Sequence, residues 1–245
     1  MNFCVIIPTY NNSGTLAKVL DDVLQVAQNV IVVNDGSTDG TSDILNTFSG
    51  KITVVSYSKN RGKGYALAQG FKEARKSGFD VAVTLDSDGQ HKASDIPVLL
   101  EKYVGNEGSM IIGARKFDAP NMPSENTFAN RFSNFWFTVQ TARRLPDTQT
   151  GFRLYPLEKM GRMTPCNNRY EAELELLVRS AWRNIRLISC EIDVYYPPKE
   201  ERVSHFRPTW DFARISVLNT VLCVLALIYG YPSMAVRKLL NYVRS

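Results

Sequence analysis

Five short apolar runs, at residues 3–8, 30–33, 52–56, 81–85 and 110–113, punctuate the first half of this chain, with helical patterns between them. Leu16, Val19, Leu20, Val23 and Leu24 recur at helical spacing, with Ser13 or Thr15 placed to cap the helix. A short helix is expected over about 42–48. Another follows Arg61-Gly62-Lys63-Gly64 and carries Leu67, Phe71 and Ala74, and a further one covers 96–103. Strand and helix alternating in this way predict an α/β fold of Rossmann type, a mainly parallel sheet covered by helices on both faces. Ligands of such sheets sit outside the carboxyl ends of the strands. The turn at Asn11, Asp35, the pair Arg61/Lys63 and the pair Asp86/Asp88 all fall at those ends, so one crevice collects them.

The chain has 245 residues, 44% of them apolar, enough for one large domain or a domain with an appendage. A net charge of +5 permits a phosphate-rich ligand, nucleic acid or an anionic membrane without choosing among them. Cys4, Cys166, Cys190 and Cys223 form no CxxC pair and read as reduced thiols of a cytosolic setting. Met1-Asn2 runs straight into the first strand, so no signal peptide is expected. No GxxxxGK[ST] is present, which excludes a P-loop, and no GxGxxG follows the first strand. Residues 35–40 imitate the start of an EF-hand loop, but its twelfth position is Asn46 where Glu is needed.

Asp86-Ser87-Asp88-Gly89-Gln90 closes the fourth apolar run. Two carboxylates one residue apart at a strand end suit one hard divalent cation, Mg²⁺ or Mn²⁺, held against a diphosphate. Taken alone, such a stretch is more often an Asp/Gly turn. Its neighbours argue otherwise. Residues 5–11 (Val-Ile-Ile-Pro-Thr-Tyr-Asn), 33–41 (Val-Asn-Asp-Gly-Ser-Thr-Asp-Gly-Thr), 60–64 (Asn-Arg-Gly-Lys-Gly) and 86–90 together resemble family-2 glycosyltransferases. Gln90, Gly113-Ala114-Arg115 and the segment 147–153 resemble the branch of dolichyl-phosphate mannose synthase and bacterial polyprenyl-phosphate glycosyltransferases.

The resemblance implies a GT-A fold and a nucleotide-sugar donor carrying GDP or UDP. Pro8, Tyr10, Asn12, Asp35, Lys63, Asp86 and Ser87 would then line the donor site, with Asp88 and Gln90 on the metal. Arg115 and Arg131 resemble the arginines that grip an acceptor phosphate, with Ser133 and Asn134 as helpers, and Arg suits phosphate through its planar fork. Arg202, His205 and Arg207 fall in a segment like the family's basic loop that closes on the diphosphate; a basic juxtamembrane stretch is the plainer reading. The chain departs from the family at Asn12, where Glu is frequent, and at Asn34, where Asp is.

In the second half, residues 116–127 read as a mobile loop beside the site. Phe128, Phe132, Phe135, Trp136 and Val139 then share one helix face, either core or a greasy groove for a polyprenyl tail. Glu171, Glu173 and Glu175 lie on a helix starting near Tyr170 and are expected mostly as solvated charges, one of them available to orient Arg153. His91 reads as a turn residue. No charge occurs between Arg214 and Arg237, and Gly230-Tyr231-Pro232 is expected to break the helix there. This run fits a packed helix, a marginal membrane span or a monotopic helix lying in the interface. Trp210, Phe212, Tyr229 and Tyr231 with flanking basic residues favour the interface.

The reading is therefore a glycosyltransferase domain over 1–205 and C-terminal apolar and amphipathic helices over 206–245. It would move a hexose, with inversion, from a nucleotide sugar to a polyprenyl phosphate at the cytoplasmic membrane face, with no nucleic-acid partner. Asp88, Arg115, Arg131 and Asp147 would carry the chemistry, Asp147 as the base if the acceptor were a sugar hydroxyl. The alternatives are a saccharide-elongating transferase and an inactive nucleotide-sugar binder.

Overall fold

A computed structural model describes residues 1–115, 124–195 and 208–244. Its sheet runs β1 (Phe3–Thr9), β2 (Val30–Asn34), β3 (Thr53–Ser56), β4 (Val81–Thr84), β5 (Met110–Arg115), β6 (Arg153–Pro156) and β7 (Leu187–Ile192), in the spatial order β3-β2-β1-β4-β6-β5-β7. All pairings are parallel except those of β6, which lies antiparallel between β4 and β5. The carboxyl ends of β1, β2, β4 and β5 thus share one edge with the start of β6.

Alternation along β1 splits the core. Cys4 and Ile6 face one apolar cluster, with Leu67, Phe71, Leu176, Leu177 and Trp182; Val5 and Ile7 face the other, with Leu16, Leu20, Ile96 and Leu99. The helices follow the expected order: α1 (Leu16–Leu24), α2 (Thr41–Thr47), α3 (Lys63–Lys76), α4 (Ile96–Tyr103), α5 (Ser124–Thr141), α6 (Leu157–Met160), α7 (Glu171–Trp182), α8 (Pro208–Leu225) and α9 (Tyr231–Arg244). Thr15 stands at the N-cap of α1 without capping it, because its hydroxyl donates to Ser87 O at 2.6 Å. All four cysteines are unpaired.

Three expectations need correction. The glutamates of α7 are buried, at 7%, 6% and 3% exposure for Glu171, Glu173 and Glu175, because α7 is packed between α3, α5 and the C-terminal helices. The helix is not broken at Gly230-Tyr231-Pro232. A π turn, Ala226–Gly230, carries the axis from α8 into α9, and the wider turn accommodates the proline that ordinary helical bonding would reject. Of the loop read over 116–127, residues 116–123 lie outside the described residues and 124–127 begin α5.

The C-terminal helix is two-faced. Leu218, Leu222 and Ala226 join the apolar cluster that contains α7, and Gln140 Nε2 donates to Asn219 Oδ1 at 2.9 Å across the seam with α5. Val217, Val221, Val224, Leu227 and Ile228 point outward, at 48–70% exposure. The run Ala213–Leu240 is long and apolar enough to cross a membrane by length and composition, and only 28% of its most apolar window is buried. A helix that merely completed a soluble core would bury most of that window.

Candidate active site

The turn after β1 and the turn after β4 are tied together. Asn12 Nδ2 donates to Ser87 Oγ at 2.6 Å, and Asn11, held at a φ of 51°, accepts from Thr38 N at 2.8 Å. Pro8 and Ser87 are buried here, while Tyr10 and Asn12 are half-buried. Asp35 is buried, and its oxygens accept from the backbone N–H groups of Arg61 (2.8 Å) and Gly62 (2.7 Å). Its visible duty is therefore to shape the Arg61–Lys63 loop. That loop is closed from the other side by Asn168 O, which accepts from Gly64 N at 2.8 Å. A Cβ on Gly64 would lie 2.2 Å from Asn167 O, so only glycine fits.

Lys63 Nζ lies 2.7 Å from Asp86 Oδ1 and 3.1 Å from Glu173 Oε2. Burial pushes the Lys63 ammonium down, but the two carboxylates outweigh it and raise it. Burial pushes the Asp86 carboxyl up, and Lys63 more than reverses this. The Glu173 carboxyl ends raised, because burial dominates there. Asp88 differs. Its Oδ1 accepts from Gln90 N at 3.0 Å, and it forms no ion pair among the described residues. Burial, and then the neighbouring Asp86, push its carboxyl up to about 6. A half-buried carboxylate short of positive charge, with the amide side chain of Gln90 two residues on, offers hard-oxygen donors of the kind that fit Mg²⁺ or Mn²⁺. No group of three or more His, Cys, Asp or Glu able to hold a metal occurs among the described residues, so water and ligand phosphate would complete the shell.

Across the crevice, Arg115 at the end of β5 meets Asp147. Nε donates to Oδ2 at 2.7 Å and Nη2 to Oδ1 at 3.0 Å. Asp147 is fully buried; burial pushes its carboxyl up, and Arg115 more than offsets this and holds it below the usual range. The loop carrying Asp147 is pinned to α5. Asn130 and Asn134 both donate to Pro146 O, and Thr148 Oγ1 donates to Ser133 Oγ at 2.7 Å. That face of α5 is its inner one, with Asn130, Ser133, Phe137 and Gln140 buried. The expected aromatic stripe, apart from Phe128, whose side chain lies outside the described residues, turns the other way. Phe135 is 58% and Val139 40% exposed, with Phe132 and Trp136 half-buried, so the stripe is not core. Arg131 is exposed on the same helix.

His91 packs on Phe152 with ring centroids 5.4 Å apart, and burial holds its imidazole down to about 4, so it is neutral. Arg202, His205 and Arg207 lie outside the described residues. Sequence reasoning missed Glu173 as the partner of Lys63. It also missed Glu175, whose carboxylate accepts from Cys166 N and Asn167 N and so shapes the turn that meets Gly64. Three glutamates at i, i+2 and i+4, interleaved with Ala172, Leu174 and Leu176, were the available signal.

Residues 4–160 match the family model described as glycosyl transferase family 2. The UDP-N-acetylglucosamine–dolichyl-phosphate N-acetylglucosaminyltransferase of Methanococcus voltae is 28% identical over 170 residues, 62% of this chain and 68% of that protein. The undecaprenyl-phosphate mannosyltransferase of Micrococcus luteus is 30% identical over 165 residues, 63% of this chain and 66% of that one. Among solved structures, glucosyl-3-phosphoglycerate synthase from Mycobacterium tuberculosis, in complex with Mn²⁺, UDP and glucosyl-3-phosphoglycerate, superposes with a TM-score of 0.65 at 18% identity, covering 92% of this chain and 79% of that one. The architecture is GT-A. With the strand-end motifs gathered in one crevice and the family model spanning most of the sheet, the chain belongs to glycosyl transferase family 2 and is a glycosyltransferase.

Proposed function

We propose that this enzyme transfers a hexose from a UDP- or GDP-sugar to a polyprenyl phosphate, with inversion, while seated on the cytoplasmic face of the cell membrane as a peripheral or monotopic protein. The observation that carries the reading is the outward aromatic face of α5, beside Arg131 and continuous in character with the outward apolar face of α8. A lipid-linked anionic acceptor matches a greasy surface next to a cation. The names of the two curated relatives, which act on dolichyl and undecaprenyl phosphates, support the same acceptor class.

Asp88 and Gln90 would hold the divalent cation against the donor diphosphate. When bound, that cation offsets the negative charge developing on the departing nucleotide. Asp86, neutralised by Lys63, faces the nucleoside, with Tyr10 and the Asp35-shaped loop beside it. Arg115 is aimed by Asp147, and with Arg131 it would receive the acceptor phosphate and hold one oxygen in line with the anomeric carbon. A phosphate oxygen is already an anion near neutral pH, so no protein base is needed.

That point weighs against a saccharide acceptor. A sugar hydroxyl would require a base, and Asp147 is a poor one here, with both oxygens committed to Arg115 and its carboxyl held below the usual range. The test is a donor screen against undecaprenyl phosphate with radiolabelled UDP- and GDP-hexoses. Label should pass into the organic phase with one donor. Label appearing only on soluble saccharides would overturn the lipid acceptor.

A further inference from the structure

Lys63 is held unusually completely for a residue facing a phosphate-binding crevice. Its Nζ meets Asp86 Oδ1 at 2.7 Å, Asp86 Oδ2 at 2.9 Å and Glu173 Oε2 at 3.1 Å. The three side chains are 16%, 25% and 8% exposed. The group is closed against the backbone: a Cβ on Gly151 would lie 2.7 Å from Asp86 Oδ2, 2.8 Å from Lys63 Nζ and 2.9 Å from Glu173 Oε1. The backbone on either side of Lys63 is held as well, Gly62 N donating to Asp35 and Gly64 N to Asn168 O. Glu173 is anchored in turn, since its carbonyl accepts from Arg153 Nη1 at 2.7 Å in the buried interior.

The effect falls on the carboxylate pair at 86 and 88. Two free carboxylates at this spacing would attract a divalent cation by themselves, whereas one carboxylate and one amide oxygen form a weak site that needs further anionic ligands. Both oxygens of Asp86 are taken by Lys63, and only Asp88 is left.

We propose that Lys63, anchored by Glu173, withholds Asp86 from the metal, so that the divalent cation is bound tightly only together with the nucleotide diphosphate. Glu173 and Lys63 are positioning residues in this scheme. The benefit is ordering: metal and donor arrive as one unit, and an idle enzyme does not carry a tightly held cation that would repel the basic side of its crevice. The proposal rests on Asp88 and Gln90 being the metal's protein ligands.

Direct Mn²⁺ binding, read by electron paramagnetic resonance with and without UDP or GDP, tests it. The double variant Lys63→Gln/Glu173→Gln replaces one cation and two anions by one anion, so formal charge is unchanged and only the freedom of Asp86 differs. Wild type should bind Mn²⁺ weakly alone and tightly with nucleotide. The double variant should bind Mn²⁺ alone roughly tenfold more tightly than wild type, and adding Asp86→Asn should remove the gain. A double variant that binds Mn²⁺ alone no better than wild type overturns the proposal. If that variant does not fold, Lys63→Gln, which frees Asp86 at the cost of one extra negative charge, is compared with Lys63→Gln/Asp86→Asn, which has the wild-type charge and no Asp86: the first should bind Mn²⁺ alone more tightly than wild type and the second no more tightly, and equal tightening in both would overturn the proposal. Wild type binding no Mn²⁺ even with both nucleotides would instead remove Asp88 as a ligand, and the proposal with it; nucleotide-dependent binding without the gain removes only the lock.

Discussion

Asp88 sits in the crevice with a charge that the folded chain does not neutralise, and its linkage to stability runs opposite to that of a salt-bridged aspartate. Its carboxyl is raised from 3.8 to about 6 in the folded state, so folding favours the protonated form. Its destabilising contribution is absent at pH 3.8 and below and is fully present once pH has risen past about 6. Asp88→Asn should therefore raise the melting temperature of the metal-free protein at pH 7.5, by an amount equivalent to about 1–3 kcal/mol, and should do little at pH 4. A lower melting temperature at pH 7.5 would contradict the burial argument. The same variant should lose Mn²⁺-dependent nucleotide binding, and in wild type that binding should weaken as pH falls through about 6. Arg131→Ala tests the acceptor side. Removing one charge-assisted contact costs about 1.5–3 kcal/mol, so the KM for polyprenyl phosphate should rise roughly ten- to hundredfold with donor affinity unchanged. A loss confined to donor affinity would move Arg131 out of the acceptor site. At this scale the placing of Asp86 and Asp88 together at a strand end was legible because their spacing is local. The partners of Lys63 and Arg115 were not, because Glu173 and Asp147 are 110 and 32 residues away in sequence and their approach is made by packing.

Helices and strands were read with uneven success, and the reason is physical. α1, α3 and α4 each bury one stripe on one face of the sheet, and their buried positions Leu16, Leu20, Leu67, Phe71, Ile96 and Leu99 carry a clear period. β6 was missed because a four-residue antiparallel insertion between two parallel strands has no pattern of its own. α7 was misread because a helix buried all round places its glutamates inside, where only tertiary partners such as Lys63 satisfy them. α8 offers a direct test of its two faces. Val221→Glu on the outer face should leave the melting temperature within about 0.5 kcal/mol equivalent of wild type and reduce binding to anionic vesicles. Leu222→Ala on the inner face should cost about 2–5 kcal/mol and leave vesicle binding of the folded fraction intact. If Val221→Glu destabilises as strongly as Leu222→Ala, the outer face is covered by protein and not by lipid.

For the molecule as a whole, the outward apolar face and the basic residues of the C-terminal segment would set how the enzyme meets the membrane proposed above. Wild-type protein should sediment with membranes and resist high salt, since apolar burial adds to charge attraction. Alkaline carbonate should release it at least in part, as expected of a helix whose inner face is already packed on α7. Complete retention would indicate a span, and full solubility in low salt without detergent would leave the apolar face to some other partner. Removing the chain after Pro208 is no neutral deletion, because Leu218, Leu222 and Ala226 belong to the same cluster as Leu176 and Trp182. The strand-helix alternation, the crevice at the carboxyl edge and the carboxylate pair were determined by the sequence alone, because each depends on residues close together along the chain. Only the tertiary structure decided that β6 turns back through the sheet, that Glu173 reaches Lys63 and Asp147 holds Arg115, and that α8 packs with one face and exposes the other. These are long-range pairings, and for them burial and charge balance outweigh any local preference written in the residues themselves.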